Sequence, residues 1–249
     1  MAFACLTSAV VAEDHAIDHH GTGPIHRHHQ HASESSLPVG LAFTAAWDSH
    51  YVSEGRDNLD GDGLMSAAVE ITWEDLLFGV WYANSPQQSY DEWNFFVEYG
   101  RECGEFEWFV GYNHLRFPDA GGHDHEVGAG LIYNGLPWGL TPGVEAYYSF
   151  DAGGTFYEAS LTREFEICEW MVLEPGIVIG FNDDYVSDGH QGANHIAAVL
   201  GCAVPISDSI ELSAYLSYNW AIDRDPLASP DDFLLNDFLY GGLGLTFTF

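Results

Sequence analysis

What most constrains this chain is a period of two that begins near residue 39 and recurs to the end. In 104–115, Phe106, Trp108, Val110 and Tyr112 alternate with Glu105, Glu107, Phe109, Gly111 and Asn113. In 90–100, Trp93, Phe95, Val97 and Tyr99 alternate with Glu92, Asn94, Phe96 and Glu98. Near the end, Ile210, Leu212, Ala214, Leu216, Tyr218 and Trp220 stand opposite Glu211, Ser213, Tyr215, Ser217 and Asn219. Successive side chains of a strand point to opposite faces, so each segment is a strand with one apolar and one polar side. The pattern predicts strands over 39–51, 64–74, 76–84, 90–101, 104–116, 124–134, 140–150, 155–166, 170–182, 193–204, 209–222 and 237–249.

The connections alternate too. Ser53–Gly63, Asn84–Ser89, Phe117–His123, Asp183–Gly192 and Asp223–Asn236 are long, and Asp151–Gly154 belongs with them. Glu74-Asp75, Glu102-Cys103, Gly135–Gly139, Ile167–Glu169 and Pro205–Asp208 are short. A soluble β-sandwich has no reason to sort its loops by side. An up-and-down barrel in a membrane does, and single-chain bacterial barrels use even strand numbers. The polar phase carries too many glutamates for a packed core, so the apolar phase must face lipid. Trp and Tyr gather toward segment ends, where two interfacial girdles belong. The expected fold is an all-β, transmembrane, antiparallel up-and-down β-barrel of about twelve strands over 39–249.

Charge narrows the partners. The chain has 38 acidic residues against six arginines and no lysine, a formal net charge of -32. Nucleic acid, which needs Lys and Arg on its phosphates, is excluded as a partner, and general docking on anionic headgroups is disfavoured. No run of 18 apolar residues exists; the longest patch, Ile196–Ile206, is short and carries Gly201 and Pro205. A membrane reading therefore requires a closed barrel, the alternative to a helix that satisfies every backbone group in lipid.

Residues 1–12 are apolar and small, followed by Glu13-Asp14, and read as the remnant of a secretory signal peptide lacking its basic start. Residues 13–38 are too poor in apolar groups to fold alone and read as a disordered, His-rich periplasmic extension. His19, His20, His26, His28, His29 and His31 lie there with His15, a density of imidazole that suits Zn, Cu or Ni ions.

At the other end, Leu239, Leu243, Leu245, Phe247 and Phe249 alternate with Tyr240, Gly242, Gly244, Thr246 and Thr248. An aromatic residue closing such a strand resembles the terminal signature of bacterial outer-membrane barrels. Trp47–Asn58, with its Tyr51-Val52-Ser53-Glu54-Gly55, resembles a first-strand motif of uncharacterised bacterial outer-membrane β-barrels of the porin type. Tyr90–Asn94 and Gly111–Pro118 look like the second hairpin region of the same group. The resemblance covers most of 39–249. It implies an outer-membrane location, N- and C-termini in the periplasm and insertion by the barrel-assembly machinery. It supplies no catalytic residues.

Several sites are expected. Glu70, Glu92, Glu98, Glu105, Glu107, Glu126, Glu145, Glu158, Glu174 and Glu211 fall on the polar phase and would line the lumen. Rings of carboxylates favour cations, so the expected function is passive uptake of small solutes or cations through an acidic lumen. Alternatives are a non-conducting structural or surface-binding barrel and a rim-sited lipid hydrolase. Asn58, Asp60 and Asp62 with Gly63 resemble the opening of a calcium loop, although its twelfth position is Val69 instead of Glu. His123-Asp124-His125-Glu126 and Asp183-Asp184 with Asp188, His190 and His195 offer metal-ligand types beside outer loops. Cys103, Cys168 and Cys202 map to periplasmic ends, with Cys168 and Cys202 the nearer pair for a disulfide. No nucleophile motif is present, and Ser49 and His50, being adjacent on a strand, should face opposite ways.

Overall fold

A computed structural model of the protein describes residues 39–249. The expectations for residues 1–12, for the extension 13–38 and for its histidines lie outside the described residues.

Fifteen strands follow in order. They are β1 (Val39–Asp48), β2 (Val52–Ser53), β3 (Arg56–Asp57), β4 (Leu64–Trp73) and β5 (Leu76–Asn84). Next come β6 (Asp91–Cys103), β7 (Phe106–Phe117), β8 (Gly122–Tyr133), β9 (Leu140–Ser149) and β10 (Gly154–Arg163). The last are β11 (Phe165–Cys168), β12 (Met171–Asp183), β13 (Gly192–Ser207), β14 (Ile210–Ala221) and β15 (Phe238–Thr248). Twelve of them form the wall, each antiparallel to its sequence neighbour in the wall, and β15 pairs with β1 to close it. Of the remaining three, β2 and β3 make a small hairpin in the first long loop, and β11 continues β10 past Glu164. The expected twelve segments are thus present, with ends displaced by a few residues. The strand β1 stops three residues early, at Asp48, because the chain bends at Ser49-His50 and turns into the barrel.

Closure leaves no edge strand, which is what a barrel in lipid requires. Following the paired residues around the ring returns to β1 roughly 16 residues along; for twelve strands this stagger sets a tilt of about 45° and a backbone diameter of about 25 Å. The seam carries inward Thr44 and Thr246, whose hydroxyls lie 3.0 Å apart, and outward Phe43 against Phe247.

The apolar phase points outward and is uncovered. Val69, Ile71, Val110, Val144, Ile177, Leu216 and Leu243 are all more than 40% exposed. In water such a belt would be a large aggregation surface; in a bilayer it is the lipid-facing wall. Aromatic residues flank it on both sides. Trp47, Tyr82, Trp93, Tyr148 and Trp220 lie toward the long loops, and Trp73, Trp108, Tyr133 and Trp170 toward the short turns.

Inside, large rings are seated over glycines on neighbouring strands. A Cβ on Gly130 would come within 2.2 Å of the Phe109 ring, and one on Gly79 within 2.0 Å of Phe96. Gly130→Val is expected to destabilise the barrel by about 1–3 kcal/mol through overpacking. The urea midpoint of refolded protein measures it; an unchanged midpoint would mean that the Phe109 ring swings away freely.

Candidate functional site in the barrel lumen

Strand alternation turns Glu70 of β4, Glu92 and Glu98 of β6, Glu107 of β7 and Glu126 of β8 inward. It does the same for Glu145 of β9, Glu158 of β10, Glu174 of β12 and Glu211 of β14. Glu92, Glu98, Glu107 and Glu126 are buried. Glu105 corrects the expectation: it shares their phase in sequence but sits exposed in the turn between β6 and β7, where alternation no longer governs direction. Asp48, which the sequence did not single out, adds a buried carboxylate at the end of β1 and accepts a 2.8 Å hydrogen bond from Tyr215. Glu145 and Glu158 are direct cross-strand partners, and Glu158 lies 4.0 Å from the His195 ring.

The barrel strands supply no arginine to this interior among the described residues. Arg101, Arg116 and Arg163 fall on the outward phase, Arg101 pairing with Asp75 at 3.1 Å and Arg163 lying over the Phe165 ring. Among the described residues, the guanidinium that enters does so on a loop. Residues 49–63 fold into the mouth, where Tyr51 and Leu59 pack with Leu64 and Ala83 of the wall. The β2–β3 hairpin carries Arg56 inward to near-complete burial. Its guanidinium donates to Asn194 Oδ1 at 2.8 Å and to Asp232 Oδ1 at 3.1 Å.

Two local devices make that grip fit. The β12–β13 register slips by one at Gly180/Phe181, and this bulge turns both Asn194 and His195 inward. Asn194 then donates to Glu54 O while accepting from Arg56, and Asn219 donates to Gly55 O at 3.0 Å. Gly55 has φ +69, and a Cβ there would come within 2.4 Å of the His195 ring, so both backbone angle and space require glycine.

Asp232 is the knot for three loops. It is buried and, besides Arg56, accepts from the His190 ring at 2.8 Å and from the backbone N–H of His190 and of Asp225. Tyrosines hold the other loops. Tyr51 and Tyr90 both donate to Glu92 Oε2, and Tyr185 donates to Glu126 Oε1. Burial, then the neighbouring Glu92, raises both Tyr51 and Tyr90, and burial, then Glu126, raises Tyr185. All three stay neutral donors to carboxylates.

Burial pushes the Asp232 carboxyl up, but hydrogen bonds from Asp225, the His190 backbone and the His190 ring outweigh it. Its value ends below the ordinary 3.8. A lowered carboxyl stabilises the folded form above its unfolded value and loses that contribution as pH falls through the folded one. Loop protection in hydrogen exchange at 49–63 should therefore hold down to about pH 4 and fail below it. Failure between pH 8 and 5 would assign the lock to another group.

The other expected sites resolve differently. Asn58, Asp60 and Asp62 lie in successive turns, with Asn58 N donating to Tyr51 O and Asp62 N to Leu59 O. Asp62 accepts from the Gln88 side chain at 2.9 Å, which ties this loop to the one between β5 and β6. Both His190 nitrogens are turned to oxygen atoms of the protein, Asp232 Oδ2 and Ala193 O at 2.8 Å each, and not toward an open position beside the loop. Among the described residues no three His, Cys, Asp or Glu side chains group to hold an ion. Cys103, Cys168 and Cys202 are free thiols. The Cys168–Cys202 pairing is corrected because β12 runs between their strands, about two 4.8 Å spacings, beyond disulfide reach. Ser49 and His50 do meet, Oγ to Nδ1 at 3.0 Å, because they lie in a bend where alternation lapses. Ser49 Oγ also accepts from Gly241 N at 3.0 Å, fastening the end of β1 to β15.

A closed, twelve-stranded, antiparallel up-and-down barrel with an apolar exterior is the fold of outer-membrane β-barrels. Solved structures bear this out. The chain is similar to the KdgM porin, with TM-score 0.55 and 6% identity over 84% of this chain and 99% of that one. It is similar to the NanC porin, with TM-score 0.53 and 12% identity over 83% and 98%. A KdgM porin in complex with disordered oligogalacturonate matches at TM-score 0.54 and 7% identity, over 84% and 99%. No family model matches the sequence, and no curated relative matches it either. At these identities the likeness speaks for the fold.

Proposed function

We propose that this chain is a channel of the bacterial outer membrane that passes small solutes and cations in preference to anions, with loop 49–63 closing its outer mouth. One observation carries the reading: nine strand glutamates face the lumen and no strand arginine does, among the described residues. Fixed charge of one sign in a low-dielectric tube concentrates the opposite ion and repels its own. The oligogalacturonate named for one similar porin is a polyanion, and this interior would repel it. In this orientation the long loops face outward, both termini face the periplasm, and the barrel-assembly machinery inserts the chain. The histidines of 13–38 would capture Zn, Cu or Ni ions. Planar-bilayer recordings in a salt gradient test the reading: a reversal potential set by the cation is expected, and anion preference or absence of conductance would sink it.

A hydrolytic second reading has Ser49, His50 and Asp57 in its favour. It is the weaker one, because His50 Nε2 lies 3.9 Å from Asp57, too far for the hydrogen bond that orients a catalytic imidazole. Hydrolysis of a labelled phospholipid, abolished by Ser49→Ala, would reverse this ranking.

A further inference from the structure

The chain is acidic throughout, yet one small outward patch collects the opposite kind of group. At the loop end of the β7–β8 hairpin, His114 pairs across the strands with His125, and Arg116 with His123. All four lie on the outward phase, and Arg116 and His123 are exposed. The three rings form one cluster, with centroids 4.4 Å apart for His114–His125, 5.7 Å for His123–His125 and 6.3 Å for His114–His123. The cluster continues the girdle that runs from Tyr82 through Trp93 and Phe95 to His114. That belt marks the level at which lipid headgroups meet the barrel.

We infer that Arg116 with His114, His123 and His125 forms a seat for the anionic phosphate headgroup of a membrane lipid. The inference rests on the membrane-spanning part of the reading above and is independent of conduction. Four groups that are cationic or can become so, placed as direct cross-strand pairs, repel one another unless an anion lies among them. The ring orientation suits this. His114 Nδ1 donates to Asp124 O at 3.2 Å, which turns Nε2 away from the wall, and His125 Nδ1 is engaged by the Tyr112 hydroxyl at 2.5 Å. Nearby carboxylates are turned elsewhere. Asp124 accepts from Ser149 and from the backbone of His125 and Asp151, and Glu126 faces inward to Tyr185. Asp91 accepts from Asp119 N and Asp119 accepts from Ser89, while Asp151 stands exposed in the next loop. Arg116 offers the planar fork that binds phosphate oxygens in pairs. The overall charge of -32 argues against general attachment to anionic lipid, so this seat acts locally, within about a Debye length.

The test uses the full chain refolded in neutral detergent micelles, with folding read separately by the heat-induced shift in electrophoresis. Native mass spectrometry then counts retained phosphatidylglycerol, whose single charge is constant across the pH range, against zwitterionic phosphatidylcholine. Imidazoles ordinarily change charge between pH 5 and 8. The expected result is about tenfold preference for phosphatidylglycerol at pH 6 and less at pH 8. Arg116→Gln should lower retention at both pH values and keep the pH dependence. The triple variant His114→Gln, His123→Gln, His125→Gln should remove the pH dependence. A folded variant with all four replaced that retains phosphatidylglycerol like the native chain would overturn the seat. So would complete displacement by millimolar inorganic phosphate, which would make the ligand a free anion. A chain with no heat shift would count against the membrane-spanning reading itself.

Discussion

Arg56→Ala should open the mouth of the barrel. The guanidinium is buried against Asp232 and Asn194, and its removal leaves the buried Asp232 carboxylate without its cation. Breaking one partner of a buried ion pair costs about 3–5 kcal/mol, far more than an exposed pair is worth. Here the loss falls on the contact that holds 49–63 against the wall, so it is read first as loop opening. The open population should rise roughly a hundredfold or more, since each 1.4 kcal/mol is a factor of ten. Hydrogen exchange at 51–59 should accelerate by that order while the strands β6 and β7 keep their protection. Single-channel recordings should show a higher and noisier conductance. Arg56→Lys keeps the charge without the fork that spans Asn194 and Asp232, and should restore closure in part. If Arg56→Ala left exchange in 51–59 unchanged, the tyrosine contacts to Glu92 would be holding the loop without help.

Replacing Glu145 and Glu158 together by Gln should have a large effect on selectivity. The two carboxylates face each other across β9 and β10. Glutamine keeps the size and shape of both side chains, and the urea midpoint shows whether the barrel tolerates the change. The same change deletes two of the nine inward strand glutamates at one level of the lumen. Cation-over-anion permeability should fall roughly threefold or more, seen as a reversal potential moving toward zero in a salt gradient. Tyr147 donates to the Glu145 carboxylate, and the amide oxygen introduced by Glu145→Gln still accepts that bond, so a structural collapse is not expected. An unchanged reversal potential would place the selecting charges elsewhere, with Glu98 and Glu107 next to be tried. Together the two variants separate closure from selectivity: the first changes how often the path opens, the second what goes through it.

Much of this was legible in the sequence because a strand has a period of two and a membrane barrel has only two kinds of surroundings. The nine inward strand glutamates were named from phase alone, and Glu105 failed where phase stops meaning anything, inside a two-residue turn. Ser49 and His50 failed for the same reason at a bend. The long loops were also readable, but as polar and turn-rich stretches; their sequence says nothing of where they go. Asp48 carried a weak signal, since it continues the inward phase of β1 into the Tyr51 motif.

The chain by itself determined the strand count, the direction of each face and the sorting of long loops to one side. Those are local properties, set by alternation and by the cost of putting charge in lipid. The tertiary structure alone decided that β15 closes on β1, that a bulge at Asn194 aims two consecutive side chains inward, and that Arg56 meets Asp232 176 residues away. It alone gathered His114 with His123 and His125. Such contacts follow from register around a closed ring, and a one-residue slip that no local pattern records is enough to change them.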